Sequence, residues 1–240
     1  MKTLRDIRRL LRSALASALV AWGTAVSAQT SVMPSGEGTA ESPYQITQLG
    51  NLVWMGETVT ESAGKHYRMM NDIDASETAG WNDGQGFRPI GNDSGGYSFC
   101  GLFDGTGHVI RGLAIGCENG YAGLFGCIGE GGHVQNLALV GAYLDGYFAG
   151  GIVGWNLGGI IENCYVSACL KGVMAGGIVG VNNYGRVERC YADGVFESYG
   201  AGPGGIACDS WGLGTISECY AAARLLGEAK GGLLSYGGGG

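Results

Sequence analysis

The chain has 240 residues, among them 49 Gly, 4 Pro and 8 Cys, and its 14 basic and 21 acidic side chains give a formal net charge of −7 at pH 7. Five of the basic residues and one acid fall in the first 28 positions, so the remainder carries about −11 and lacks the clustered Lys and Arg that nucleic acid or an anionic membrane would need. Abundant Gly, frequent β-branched residues and little charge point to many short strands joined by tight turns, in a chain long enough for one domain with a real core.

Residues 1–28 read as a signal peptide: a basic "MKTLRDIRRLLR", an apolar "SALASALVAWGTAV" and the small-residue site Val26 to Ala28. The apolar run is shorter than the roughly 20 residues a spanning helix requires, and no later segment approaches that length. The reading predicts an exported chain, secreted or held at the cell surface, with cleavage near Ala28. Residues 29–36 follow as a linker.

A leader region spans 37–98. In "YQITQLGNLVWMGETVTES", Leu49, Leu52 and Val53 fall at helical spacing after Thr47, a candidate N-cap. A helix here would cover one end of a strand stack. The leader also holds the acidic loop residues Asp72, Asp74, Asp83 and Asp93, the candidates for a calcium site. Asp83-Gly84 and, further on, Asp104-Gly105 read first as turns, and no D-x-D-x-D-G calcium loop is present.

From 99 to 240 the sequence repeats. Gly123, Gly151, Gly177, Gly205 and Gly232 open similar stretches at a near-constant interval. A unit of about 27 residues with short β-rich runs is too short for a propeller blade and lacks the helical period. It fits one coil of a right-handed parallel β-helix, three strands and three turns, each coil stacked about 4.8 Å from the last. Val134, Ile161, Val187 and Ile216 align as one inward column; Leu137, Cys164, Cys190 and Cys219 align as a second. Two inward positions three apart require a bend between them, at Gln135-Asn136, Glu162-Asn163, Glu188-Arg189 and Ser217-Glu218, a site that favours Asn. Gly-Leu-Phe at 101–103 echoes Gly-Leu-Phe at 123–125 and suggests an earlier coil. The last stretch, "LSYGGGG", stops within a coil, which predicts a longer parent polypeptide.

These residues resemble the GLUG-motif repeat proteins of bacterial surfaces, named for a Gly-Leu-hydrophobic-Gly core. That core reads "GLFG" at 123–126 and "GIVG" at 151–154 and 177–180; the fourth copy departs with "GIAC" at 205–208. The leader shares "SPYQI" at 42, "YRMMNDIDAS" at 67, "FRPIG" at 87 and "GLFDGTGHVIRGL" at 101. The resemblance implies an exported β-helical module, found in adhesin-like proteins and beside immunoglobulin-A-cleaving metallopeptidase domains, and gives the repeats no activity of their own.

The candidate chemistry is sparse. A zinc peptidase needs two His four apart with a Glu between, and none of His66, His108 and His133 has that context. Cys164, Cys190 and Cys219 recur where another copy has Leu137, which marks them as small core groups; a disulfide between coils is the alternative. Tyr165, Tyr191 and Tyr220 follow each of these and should stack on the outer face, either covering one another or offering a platform for sugar rings. Glu162 and Glu188 align in consecutive units beside Arg189, as a surface ion pair. The expectation is a non-catalytic adhesive, binding or spacing module whose partner is a glycan or a host or matrix protein. The alternative is a polysaccharide-active β-helix enzyme working through the acidic loops.

Overall fold

The computed structural model describes residues 29–93, 95–200, 202–228 and 231–237; the expected signal peptide lies outside them. The fold is all-β and mostly parallel, with a single α-helix, Leu49–Glu57, among the described residues.

Strands gather into three sheets, each taking one short segment from every sequence unit. The first runs through Tyr44–Ile46, His66–Met69, Leu102–Asp104, His133–Gln135, Ile160–Glu162, Arg186–Glu188 and Thr215–Ser217. The second runs through Phe125–Ile128, Val153–Leu157, Val179–Asn183, Ala207–Trp211 and Leu234–Gly237. The third holds Ile73–Asp74, Val109–Arg111, Ala138–Gly150, Tyr165–Gly176, Tyr191–Ser198 and Tyr220–Leu226, with Ala114–Ala122 also paired to Ala138–Gly150. Every one of these pairings is parallel, a β-helix-like arrangement.

Register follows the repeat. Val134, Ile161, Val187 and Ile216 are direct partners along the first sheet, and the column continues upstream through Phe103, Tyr67 and Tyr44. Phe103, Val134, Ile161 and Val187 are fully buried in one continuous core with Leu137, Cys164 and Cys190. Each large aliphatic side chain so removed from water contributes about 1.5–3 kcal/mol. The parallel pairing thus turns a near-constant interval in the sequence into a stack of like side chains.

Glycine in the Gly-x-x-Gly core is required by close approach. A Cβ on Gly151 would stand 2.5 Å from Val166 Cγ1 and 2.7 Å from the Gly177 carbonyl oxygen, and one on Gly154 would stand 2.8 Å from Tyr121 Cβ. The chain turns from the third sheet into the second here, and only a residue without a side chain lets the strands meet.

Two details of the N-terminal half depart from expectation. The helix begins one residue later than the Thr47 cap implies: its N-cap is Gln48, because Asn51 Oδ1 accepts the backbone N–H groups of both Thr47 and Gln48. The Gly-Leu-Phe echo is also misplaced. Leu102 and Phe103 pair with His133 and Val134, whereas the partners of Phe125 and Ile128 are Ile90 and Phe99, separated by the loop between them. Residues 29–36, read as a linker, run against the helix and first strand, with Val32 N–H donating to the Gly50 carbonyl and Ser35 accepting from Gln45. Leu49, Leu52, Val53 and Met55 are buried, so the helix closes its apolar face on the core.

Candidate ligand-binding face

The bend between the first and third sheets has the same backbone solution in successive units. Asn136, Asn163, Arg189 and Glu218 all adopt left-handed φ near 50°, at 53°, 50°, 51° and 51°. Among residues with a side chain Asn is favoured in this conformation, and its amide satisfies polar groups along the stack. Asn136 Nδ2 donates to Asp104 Oδ1 at 3.0 Å, Asn163 Nδ2 to Asn136 Oδ1 at 3.2 Å, and Arg189 Nε to Asn163 Oδ1 at 3.0 Å. Arg189 also meets Glu162 Oε2 at 2.7 Å and Glu188 Oε1 at 3.0 Å. The result is a polar rail along the outside of the bend; its exposed ion pairs add little stability individually.

Beside the rail runs a tyrosine ladder. Tyr165, Tyr191 and Tyr220 are register partners. The Tyr165 and Tyr191 rings lie 5.4 Å apart at 9°, and those of Tyr191 and Tyr220 4.6 Å apart at 31°. Their faces are turned to one another, so the ladder presents ring edges outward and leaves no broad aromatic platform between its rungs. Tyr165 is fixed further by its hydroxyl, which donates to Asp193 Oδ2 at 2.9 Å.

The second column is a thiol column. Cys164 and Cys190 are buried and Cys219 half-buried, and all eight cysteines are free thiols. Cys190 N–H donates to Cys219 Sγ at 3.4 Å. Hydrogen bonding between neighbouring thiols raises the pKa values of Cys190 and Cys219, and burial pushes Cys117 and Cys127 to about 11 and Cys208 to about 12. Such groups stay protonated near neutral pH and are poor nucleophiles.

The four acidic candidates are not brought together. Asp72 is held by Val109 N–H and His108 Nδ1, each at 3.1 Å, and by an Arg111 guanidinium nitrogen at 3.3 Å. Asp74 Oδ1 accepts the Ser76 N–H at 2.9 Å, as a local cap. Those two line one concavity with Glu77, while Asp83 lines another with Asp145 and Tyr143 and Asp93 lies in an exposed loop. Among the described residues no group of three or more His, Cys, Asp or Glu is spaced to hold a metal ion.

Sequence reasoning missed an interior feature. Asn156 and Asn182 are fully buried register partners in the second sheet, continued by Ser210. Asn156 bonds both Gly159 backbone groups, and Asn182 Nδ2 donates to the Gly185 carbonyl at 3.1 Å. The signal was an Asn-x-x-Gly spacing that opens at Asn156 and recurs one repeat later at Asn182, which the conspicuous glycines obscured.

Comparison with known proteins agrees with this architecture. The GLUG motif family matches residues 145–168, the end of one long third-sheet strand through the start of the next. Halomucin of Haloquadratum walsbyi is 36% identical over 135 residues, 55% of this chain and 2% of its own length. A protein named "Putative Gly-rich membrane protein" of Evansella cellulosilytica is 38% identical over 144 residues, 58% of this chain and 16% of its own. The chain therefore spans a small fraction of both. A solved structure titled "putative immunoglobulin A1 protease" from Bacteroides ovatus superposes with a TM-score of 0.56 over 84% of this chain and 86% of that one, at 21% identity, a likeness of fold. Between Asp145 and Ala168 the chain thus carries a GLUG motif, and the Gly-x-x-Gly core at 151–154 inside it is repeated at 177–180.

Proposed function

We propose that the chain is a surface repeat module: a right-handed parallel β-helix in which each sequence repeat makes one coil, exported by an N-terminal signal peptide ending near Ala28, that extends or anchors a larger extracellular protein and binds a glycan or matrix partner without catalysing a reaction. The observation that carries this reading is the register of the first sheet, unbroken from Val134 through Ile161 and Val187 to Ile216, which with the parallel pairing of the other two sheets supplies a long repetitive exterior. Support comes from the names of its relatives, a halomucin and a Gly-rich membrane protein, and from thiols held protonated by burial and mutual bonding. No helix among the described residues is long and apolar enough to cross a membrane. Expressing the chain with its own N-terminus in a bacterial host, then measuring the mature mass and labelling intact cells with antibody, tests the location. Uncleaved protein retained inside the cell would overturn it.

A second reading, a polysaccharide-active enzyme, draws on Asp83 and Asp145, which line one concavity of about 560 Å³ with Tyr143. Two carboxylates flanking a sugar are the machinery of glycoside hydrolysis. Release of reducing or unsaturated ends from acidic polysaccharides, with and without Ca²⁺, decides between the readings.

A further inference from the structure

The tyrosine ladder is missing a rung. Its column runs through Val109, Ala138, Tyr165, Tyr191 and Tyr220, each the register partner of the next. One face of Tyr165 is covered by Tyr191, with the rings only 9° from parallel. The opposite face therefore looks along the stack toward the position of Ala138, where a methyl group stands in place of a ring. An open slot of about 600 Å³ occupies that space.

Polar groups complete its walls. The bend preceding Val109 is two residues longer than the bends that follow: Asp104 to Val109 spans five positions, where the register-equivalent Gln135 to Ala138 spans three. The extra residues bulge as an Asp-Gly-Thr-Gly turn, with Thr106 N–H on Asp104 Oδ1 and Thr106 at φ 49°. The slot lies between that turn and Tyr165, beside the amides of Asn136 and Asn163. Each amide nitrogen spends one N–H on the polar rail and has a second to offer a ligand.

We infer that this slot binds one pyranose ring of a neutral oligosaccharide, stacked on the open face of Tyr165 with its hydroxyls on Asp104, Asn136 and Asn163. A pyranose presents a C–H-rich face to an aromatic ring and a rim of hydroxyls to amides and carboxylates, the combination this slot supplies. The Asp104 carboxylate and the strongly acidic chain select against uronic acid polymers. This site rests on the surface-module reading and gives it a ligand class and an address. The ladder does not act as a platform along its length; it leaves a single gap at its start.

The test is isothermal titration of the chain with cellopentaose, laminaripentaose, mannopentaose and chitopentaose, and with an oligogalacturonate as the acidic control. At least one neutral oligomer should bind and the acidic one should not. Ala138→Tyr, which fills the gap with the missing ring, should weaken binding at least tenfold while its thermal midpoint stays level or rises. Tyr165→Ala should also lose binding, whereas Tyr220→Ala, at the far end, should leave it unchanged. The proposal is overturned if no neutral oligomer binds, if Ala138→Tyr folds and binds as before, or if the oligogalacturonate or a tyrosine-containing peptide binds in place of the neutral sugars. Correct export and surface labelling alongside any of those results would leave the surface module standing and remove only this site.

Discussion

Asn156 donates its side-chain N–H to Asn182 Oδ1 at 2.9 Å, and both residues are sealed from solvent inside the turn that leads from the second sheet back to the first. The pair supplies what the backbone of a tight, buried turn cannot supply for itself. Each amide closes its own Asn-x-x-Gly turn, and the contact between them couples adjacent units. Replacing Asn182 with alanine removes one of two donors to the Gly185 carbonyl, which keeps the Thr215 N–H, and leaves one buried Asn156 amide hydrogen without its acceptor. The expected loss is about 1–3 kcal/mol, for the one buried N–H left unsatisfied. For a chain of this size each kcal/mol is about 2–4 °C of melting temperature. Thermal unfolding of Asn182→Ala, Asn156→Ala and the double variant should give a coupling energy above about 0.5 kcal/mol; strict additivity would show the two turns to be independent.

Glycine positions in this chain divide into those forced by packing and those that are free, and the two classes respond in opposite directions. Gly151→Ala drives a methyl group into Val166 and the Gly177 carbonyl, an overpacking that costs about 1–3 kcal/mol. Gly56 lies within the helix Leu49–Glu57, with nothing within 4 Å of an added Cβ. Gly56→Ala should stabilise the chain by up to about 1 kcal/mol through helix propensity. Denaturant unfolding of the two variants side by side checks the sign of each, and equal effects would remove close approach as the reason for the motif glycines.

The columns were legible in the sequence because parallel in-register stacking maps sequence period directly onto space. Val134, Ile161 and Val187 share chemistry, a common offset and a common burial, so alignment alone places them together. What stayed hidden depends on single atoms rather than on period. Gln48 caps the helix because Asn51 folds back on it, a contact that the favourable look of Thr47 masks. Gly-Leu-Phe at 101–103 matches the later motif in letters but occupies another sheet, since the equivalent of 125–128 is interrupted by the loop after Ile90. The slot over Ala138 is invisible to motif reading because its signal is a side chain that is not there. The leader loops place Asp72 and Asp74 close together in sequence, but the fold spends both on neighbouring donors.

The tyrosine ladder should behave as a short cooperative stack. Tyr191 has a ring on each side and Tyr220 on one. With about 0.5–1.5 kcal/mol for each aromatic pair, Tyr191→Ala should cost about 1–3 kcal/mol and Tyr220→Ala about half as much. Equal costs in denaturant unfolding would mean that stacking contributes nothing beyond burial of each ring.

Acid stability should depend on Asp72, which ties the leader to the strand Val109–Arg111. The N–H of Val109, then His108, then Arg111 hold its carboxyl below the usual carboxylate range. A depressed folded-state pKa contributes stability that is present above the unfolded value, near about 3.9, and is lost as pH falls through the lower folded value. Asp72→Asn removes that contribution. The variant should melt below the parent chain at neutral pH, and the two should converge as pH drops below about 4. Because the site is exposed and two of its three partners are side chains that carry or can acquire positive charge, the gap should also shrink with added salt at neutral pH. Melting temperatures of both proteins, followed from neutral pH down to roughly pH 2.5, read this directly, and a gap that stays constant to the acid end would show that Asp72 acts through its hydrogen bonds in either protonation state and not through its charge.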